Sequence, residues 1–320
     1  MKPYVYGLTA LALALSGTAT AQSYPVKPVR LVVGFPAGGS VDLVARLVGQ
    51  RLSEATGKQF IVDNRPGAHG IIAADLVAKA APDGYTLLIV SGGHSINPSL
   101  YKSLPYDTLG DFAAVSSVAS YPLLLLAHPS VPAKSVKDLI ALARAQPGHL
   151  NYASTGPGSP AHLTMELFLQ LTAIKMAHIP YKGGAPALAD LAAGQVQVMF
   201  NNIVVGLPLA RRGQLRGLAV SSAKRSSAVP ELPTIAEGGM PGFEATTWSG
   251  MLAPRRVPRS IVTKLHGEIV RMLQVPAVRD RLRNDGAEIV GNTPEQFAAQ
   301  IEADRLKWAK VVRAAGVELN

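Results

Sequence analysis

Val32–Leu52, VVGFPAGGSVDLVARLVGQRL, holds a β-branched run, a glycine turn and an amphipathic stretch in immediate succession. Val41, Val44, Val48 and Leu52 recur at helical spacing, as do Leu43 and Leu47, so a helix begins at the turn. Ser40 is the expected N-cap and Gly57 the expected stop. The first N–H groups of a helix lack internal partners and carry partial positive charge. A glycine loop that ends a strand and opens a helix is therefore suited to an anion.

The same phrase recurs along the chain. After the first helix come the strand QFIVDN, the glycine loop RPGAHG, the helix IIAADLVAKA and the strand YTLLIVSGG. The second half repeats it: LNYAST, then GPGSP with Ser159 as N-cap and Pro160 at the first helical position, then the helix AHLTMELFLQLT and the strand KMAHIPY. KGGAP, ALADLAAG and QVQVMFNN follow as loop, helix and strand. Strands alternating with helices imply parallel sheets with crossover helices, and two such units imply two lobes with a crevice between them. SYPLLLLAHP is a buried strand that could carry the chain across, and ATTWSGMLAP a strand that returns. The helical tail, with a Thr293–Gln296 capping box and Pro294 at its first turn, is expected to pack on the first lobe.

The chain's 320 residues fit about two domains. At 48% apolar and 16% charged it can bury substantial cores and does not read as disordered. With no cysteine there is no disulfide, thiolate metal site or cysteine nucleophile. Lys2, the apolar GLTALALALSG and the Ala19-x-Ala21 pattern read as an export leader over residues 1–21, cleaved after Ala21 to leave Gln22 first. The expected location is the periplasm. The formal charge of +10 is scattered rather than run together, and aromatics are only 6%. That disfavours base-stacking platforms and nucleic acid, and favours a small anionic ligand.

Enzymatic signatures are weak. GPGSPA fits G-x-G-x-x-A after a strand, but about 20 residues on, near Tyr181, no acid waits for a ribose. There is no phosphate-binding G-x-x-x-x-G-K-[ST], no G-x-S-x-G elbow and no paired-histidine metal motif. A dispersed Ser-His-Asp triad leaves an exported hydrolase as an alternative.

FPAGGSVDLVAR, YASTGPGSPAHL, YKGGAPALADLAAGQVQVMF, ELPTIAEGGMPGFEATTWSGMLAP and the helical tail, in this order, resemble the substrate-binding receptors of tripartite tricarboxylate transporters, the Bug-type periplasmic proteins. The resemblance implies an α/β, two-lobed, type II-like periplasmic-binding fold, each lobe a mainly parallel sheet flanked by helices, with the ligand in the inter-lobe cleft. It divides the chain into 22–124 and 247–320 for the first lobe and 125–246 for the second. It implies no catalysis and no cofactor or metal. It implies a monomer that captures a small carboxylate for a membrane permease of one large and one small subunit; service to a sensor kinase is the alternative. The gripping residues it implies are Phe35, Pro36, Ala37, Gly38, Gly39, Ser40 and Asp42 in the first loop, and Ser154, Thr155, Gly156, Ser159 and His162 in the second. Asp42 either caps its helix or accepts from a ligand donor. His162, in a first helical turn, is expected to be neutral, as contact or as loop support. Asn97, Asn201, Asn202 and Trp248 are lesser candidates for the ligand's far end, with core packing the favoured reading of Trp248; Lys182, at the mouth of the second lobe, and Gly183 are candidate secondary contacts. The ligand itself is left open among dicarboxylates, tricarboxylates, amino acids and aromatic acids.

Overall fold

The computed structural model describes residues 24–319; the expected leader and its cleavage site lie outside the described residues. The first half runs β1 (Val29–Val33), α1 (Ser40–Thr56), β2 (Phe60–Asn64), α2 (Ile71–Ala78), β3 (Thr86–Ser91) and α3 (Gly93–Leu100). After β4 (Phe112–Ala127) and α4 (Val136–Ala145), the second half runs β5 (Asn151–Ser154), α5 (Pro160–Thr172), β6 (Ala177–Pro180), α6 (Gly184–Ala192), β7 (Val198–Asn202), α7 (Ile203–Arg211) and β8 (Arg216–Val220). Then come β9 (Thr246–Pro254), α8 (Arg259–Gln274), α9 (Pro276–Asn284), β10 (Glu288–Ile289) and α10 (Pro294–Ala315).

The strands form one curled sheet in the order β2-β1-β3-β9-β4-β7-β5-β6, with β8 and β10 also paired to β4. β1 is parallel to β2 and β3, and β5 is parallel to β6 and β7. Each parallel trio is a β-loop-α unit, so all its glycine loops emerge at the C-terminal ends of the strands. The trios are joined through β4, whose first part, to Pro122, pairs with β9, and whose last part, from Leu123, pairs with β7 and β8. Two register shifts against β9, between Ala114 and Ser116 and between Ser117 and Ala119, bend the strand. The fold is mixed α/β in two halves, and a continuous apolar cluster crosses between them, from Val44 and Leu47 through Tyr121, Leu124 and Leu126 to Leu188 and Ile203.

Local chemistry sets most boundaries as the sequence predicts. Ser159 accepts from the His162 N–H and Pro160 opens α5, Gly57 closes α1 in the left-handed region, and Thr293 and Gln296 form the full capping box of α10. Three expectations change and one element is new. The N-cap of α1 is Gly39, not Ser40, and it offers no side-chain cap. The strand expected to run through Gly93 stops at Ser91, because the chain turns into α3. A helix, α7, follows β7 without a loop. The tail does not pack on the first half alone. α8 carries Val262, Leu265 and Ile269 into the cluster containing α1, whereas Trp308, Val311 and Val312 of α10 join Phe168 of α5 and Ile96 of α3. Among the described residues no helix is long and apolar enough to cross a membrane, and no three acidic or histidine side chains are placed to hold a metal ion.

Candidate ligand-binding crevice

Four helices open with a glycine N-cap and no side-chain cap: α1 at Gly39, α2 at Gly70, α3 at Gly92 and α6 at Gly183. Their first-turn N–H groups are left for something other than a side chain. In the first loop Pro36, Ala37 and Gly38 are exposed, while Phe35, Gly39 and Ser40 are half-buried. Gly38 takes φ 82° with open space where a β-carbon would stand. The Phe35 ring lies 3.7 Å from the β-carbon position of Gly70. Next to Gly70, His69 presents Nε2 at 3.4 Å from the β-carbon position of Gly156 in the second half. Ser40 shares a cavity of about 20 Å³ with Tyr121 of β4 and Val204 of α7. The first loop is thus connected on both flanks to elements of the second half.

Asp42 is a brace rather than a crevice group. It is buried, and its carboxylate accepts from Gly38 N (2.9 Å), Arg46 Nε (2.8 Å) and Asn64 Nδ2 (2.9 Å). Burial pushes its pKa up, but the bonds from Arg46, Gly38 and Asn64 outweigh burial and hold it below the usual value. No exposed lone pair is presented to a ligand, so the reading of Asp42 as a ligand acceptor is corrected.

Ser154 and His162 are likewise inside the second loop. Ser154 is fully buried; its hydroxyl meets Gly156 O (3.1 Å) and His178 Nε2 (2.7 Å). Gly158 N–H donates to His162 Nδ1 at 2.9 Å, which requires that nitrogen to be unprotonated. The His162 ring stacks on His178 with centroids 4.0 Å apart, and Tyr152 stacks on His178 at 4.8 Å. These two side chains shape the loop from beneath, which for His162 is the loop-support alternative and for Ser154 engages the hydroxyl inside the loop. Gly156 and Ser159 are buried, and Ser159 caps α5. Thr155 is half-buried, its methyl 3.7 Å from the β-carbon position of Gly184, between the starts of α5 and α6.

Of the further candidates, Lys182 is exposed and Gly183, at φ 113°, has open space around it. Asn201 is buried, with Nδ2 3.6 Å from the Gly184 β-carbon position. Asn202 is spent on capping α7 through Val204 N (3.0 Å). Trp248 is a core residue: 1% exposed, its Nε1 donates to Asp304 at 2.6 Å and its ring meets Phe297 edge-on. Asn97 is also 1% exposed, and its amide donates to His69 O at 3.3 Å. Trp248 and Asn202 are thus engaged within the protein, whereas Asn97 lines a small cavity with Phe35, His69 and Gly70, and its buried Oδ1 has no hydrogen-bond partner among the described residues. His69 went unread in the sequence; RPGAHG signalled a loop, and its one ring among glycines was the available clue.

Burial, then the neighbouring His178 and His69, push the His162 pKa down to about 3. Such a histidine stays neutral in the fold while the unfolded chain takes up its proton from about pH 6.5 downward. Its stability contribution is whole above pH 6.5 and is lost as pH falls toward 3, at about 1.4 kcal/mol per pH unit. His162→Asn keeps an acceptor for Gly158 N–H but has no proton to bind. The expected result is a shallower fall in Tm between pH 6.5 and 4 than in the parent chain; parallel curves would contradict the neutral-histidine assignment.

Comparison with known proteins gives the family and the fold. The profile described as "Tripartite tricarboxylate transporter family receptor" matches residues 44–317. Protein BugT of Bordetella pertussis is 38% identical over 318 residues, covering 99% of this chain and 98% of its own. A Rhodopseudomonas palustris protein solved with adipate superimposes with TM-score 0.88 at 42% identity, covering 92% of this chain and 99% of that one. MatC from the same organism, solved with malate, gives 0.83 at 34% identity, covering 90% and 100%. The chain belongs to the tripartite tricarboxylate transporter receptor family.

Proposed function

We propose that this protein is a periplasmic receptor that binds a small carboxylate between its two halves and hands it, unaltered, to a membrane permease of one large and one small subunit. The observation that carries the reading is the set of glycine-capped helix starts: α1 in one half and α6 in the other both open with no side-chain cap, which leaves first-turn N–H groups for another partner. Two partial positive ends without side-chain caps suit a carboxylate. The gripping groups in this reading are the backbone of Phe35–Ser40, Thr155, the Gly156–Ser159 turn and the Gly183 corner. The relatives solved with adipate and malate support a dicarboxylate as first choice, and the family description supports the transporter partner. The lobes are taken as 22–124 with 247–320, and 125–246; the change of partners at Pro122–Leu123 and the start of β9 at Thr246 favour that division.

A thermal-shift series of mono-, di- and tricarboxylates, malate and adipate included, tests the reading. Micromolar binding at about 100 times Kd adds about 2.7 kcal/mol, and at about 2–4 °C per kcal/mol Tm should rise by roughly 5–11 °C. The hit should be recovered unchanged by mass spectrometry. Its methyl ester should give no shift, because the charge attracted by the helix ends is gone. An ester as effective as the acid, or a consumed ligand, would overturn the proposal.

A further inference from the structure

His69 occupies an unusual place. It takes φ 51°, ψ 33°, a left-handed conformation in a residue with a ring, and its neighbour Ala68 takes φ 44°. Ordinary side chains avoid that region, and such conformations persist only where surroundings impose them. Here the surroundings are visible. Asn97 donates its amide to the His69 carbonyl, and the Tyr101 hydroxyl lies 3.4 Å from Nδ1. Burial raises the Tyr101 pKa and lowers that of His69, so the phenol keeps its proton and the ring is neutral. With the phenol as donor to Nδ1, one of the two directions this contact allows, the ring carries its own proton on Nε2. Nε2 is the atom that lies against Gly156, in the turn after β5 of the opposite half. Gly156, at φ 130°, has no side chain to keep the ring away.

We infer that His69 is a latch: its ring, held by Asn97 and Tyr101 and lying on the Gly156 turn, keeps the two halves of the sheet closed on each other. The inference rests on reading the crevice as a ligand cleft, and it adds to that reading the residue that governs opening. Release of the ligand then requires the imidazole to leave Gly156.

The test needs no ligand, so it can fail independently of carboxylate binding. The chain has no cysteine, so Ile61→Cys on β2 and Leu171→Cys on α5, both exposed sites in opposite halves, accept a pair of spin labels. Pulsed dipolar spectroscopy on the unliganded full chain should show a dominant short distance. His69→Gly removes the ring yet is at ease at φ 51°. It should lower the short-distance population at least about threefold while Tm stays level or rises. His69→Gln, which keeps an N–H donor, should retain more of the short population than His69→Gly. A purely structural role would lower Tm with the distances unmoved. Unchanged distances in His69→Gly, or a loss of Tm with no opening, would overturn the latch. A rise in Tm in the carboxylate screen with no distance change in the variant would leave the receptor reading standing and remove the latch alone.

Discussion

Gly34→Ala is expected to destabilise the fold by about 2–3 kcal/mol, lowering Tm by roughly 4–12 °C. Gly34 follows the last residue of β1, and its φ is not the reason it must be glycine. A β-carbon there would stand 2.5 Å from the Gly70 Cα and 3.3 Å from both the Gly70 carbonyl oxygen and the Ala73 β-carbon. The nearest obstacle is backbone, so no rotamer change relieves it. Gly70 must retreat, and His69 and the start of α2 retreat with it. The first two glycine loops would separate, so a ligand-induced rise in Tm should shrink as well. Gly38→Ala is the comparison, because its β-carbon meets nothing within 4 Å; only its left-handed φ resists, at about 1–2 kcal/mol. Urea unfolding should show a lower midpoint for Gly34→Ala with an unchanged slope. A loss below about 0.5 kcal/mol would show that the two loops are not in close contact.

Asp42→Ala should cost about 2–4 kcal/mol, because it strands the donors of Gly38, Asn64 and Arg46 around a cavity. The Arg46 share is small, since its side chain is 55% exposed and solvent screens it. The larger loss is at Gly38 N and Asn64 Nδ2, which also donates to Phe35 O. The first loop would lose the group that ties its tip to α1 and β2, and affinity for any carboxylate hit should fall at least about tenfold. The pH dependence separates this from a simple cavity. The folded pKa of Asp42 lies below its ordinary 3.8, so its contribution is present above that value and disappears as pH falls through the depressed one. The stability difference between parent and variant should therefore be constant at neutral pH and narrow under acid. A difference that does not change down to pH 2 would contradict the ionised brace.

Much of the scaffold was legible in the chain. Period-3.6 apolar runs, period-2 β-branched runs and glycine turns have local causes, which is why α1, α5 and the capping box of α10 stand where the residues indicate. α3 was not legible: GGHSINPSL has little helical propensity and contains Pro98, and it is helical because Ile96 and Leu100 are buried against the second half. The same difference runs through the candidate site residues. The glycine loops were readable because a strand-turn-helix passage creates unpaired N–H groups wherever it occurs.

Which side chains face the crevice was decided only by packing. Asp42 and Ser154 sit in the expected loops but turn inward, because buried backbone N–H groups there needed acceptors. Trp248 was drawn to Asp304, 56 residues away, a pairing no local spacing reveals. His69 was held in a left-handed conformation by Asn97 and Tyr101, residues from the loop's far side in sequence. The sequence by itself determined the repeated α/β unit, the anion-suited turns and the family, since these rest on short-range periodicity and residue order. The tertiary structure alone decided which residues brace those turns and which ring spans them, because contact across a sheet depends on strand order, register and burial, and not on neighbours in the chain.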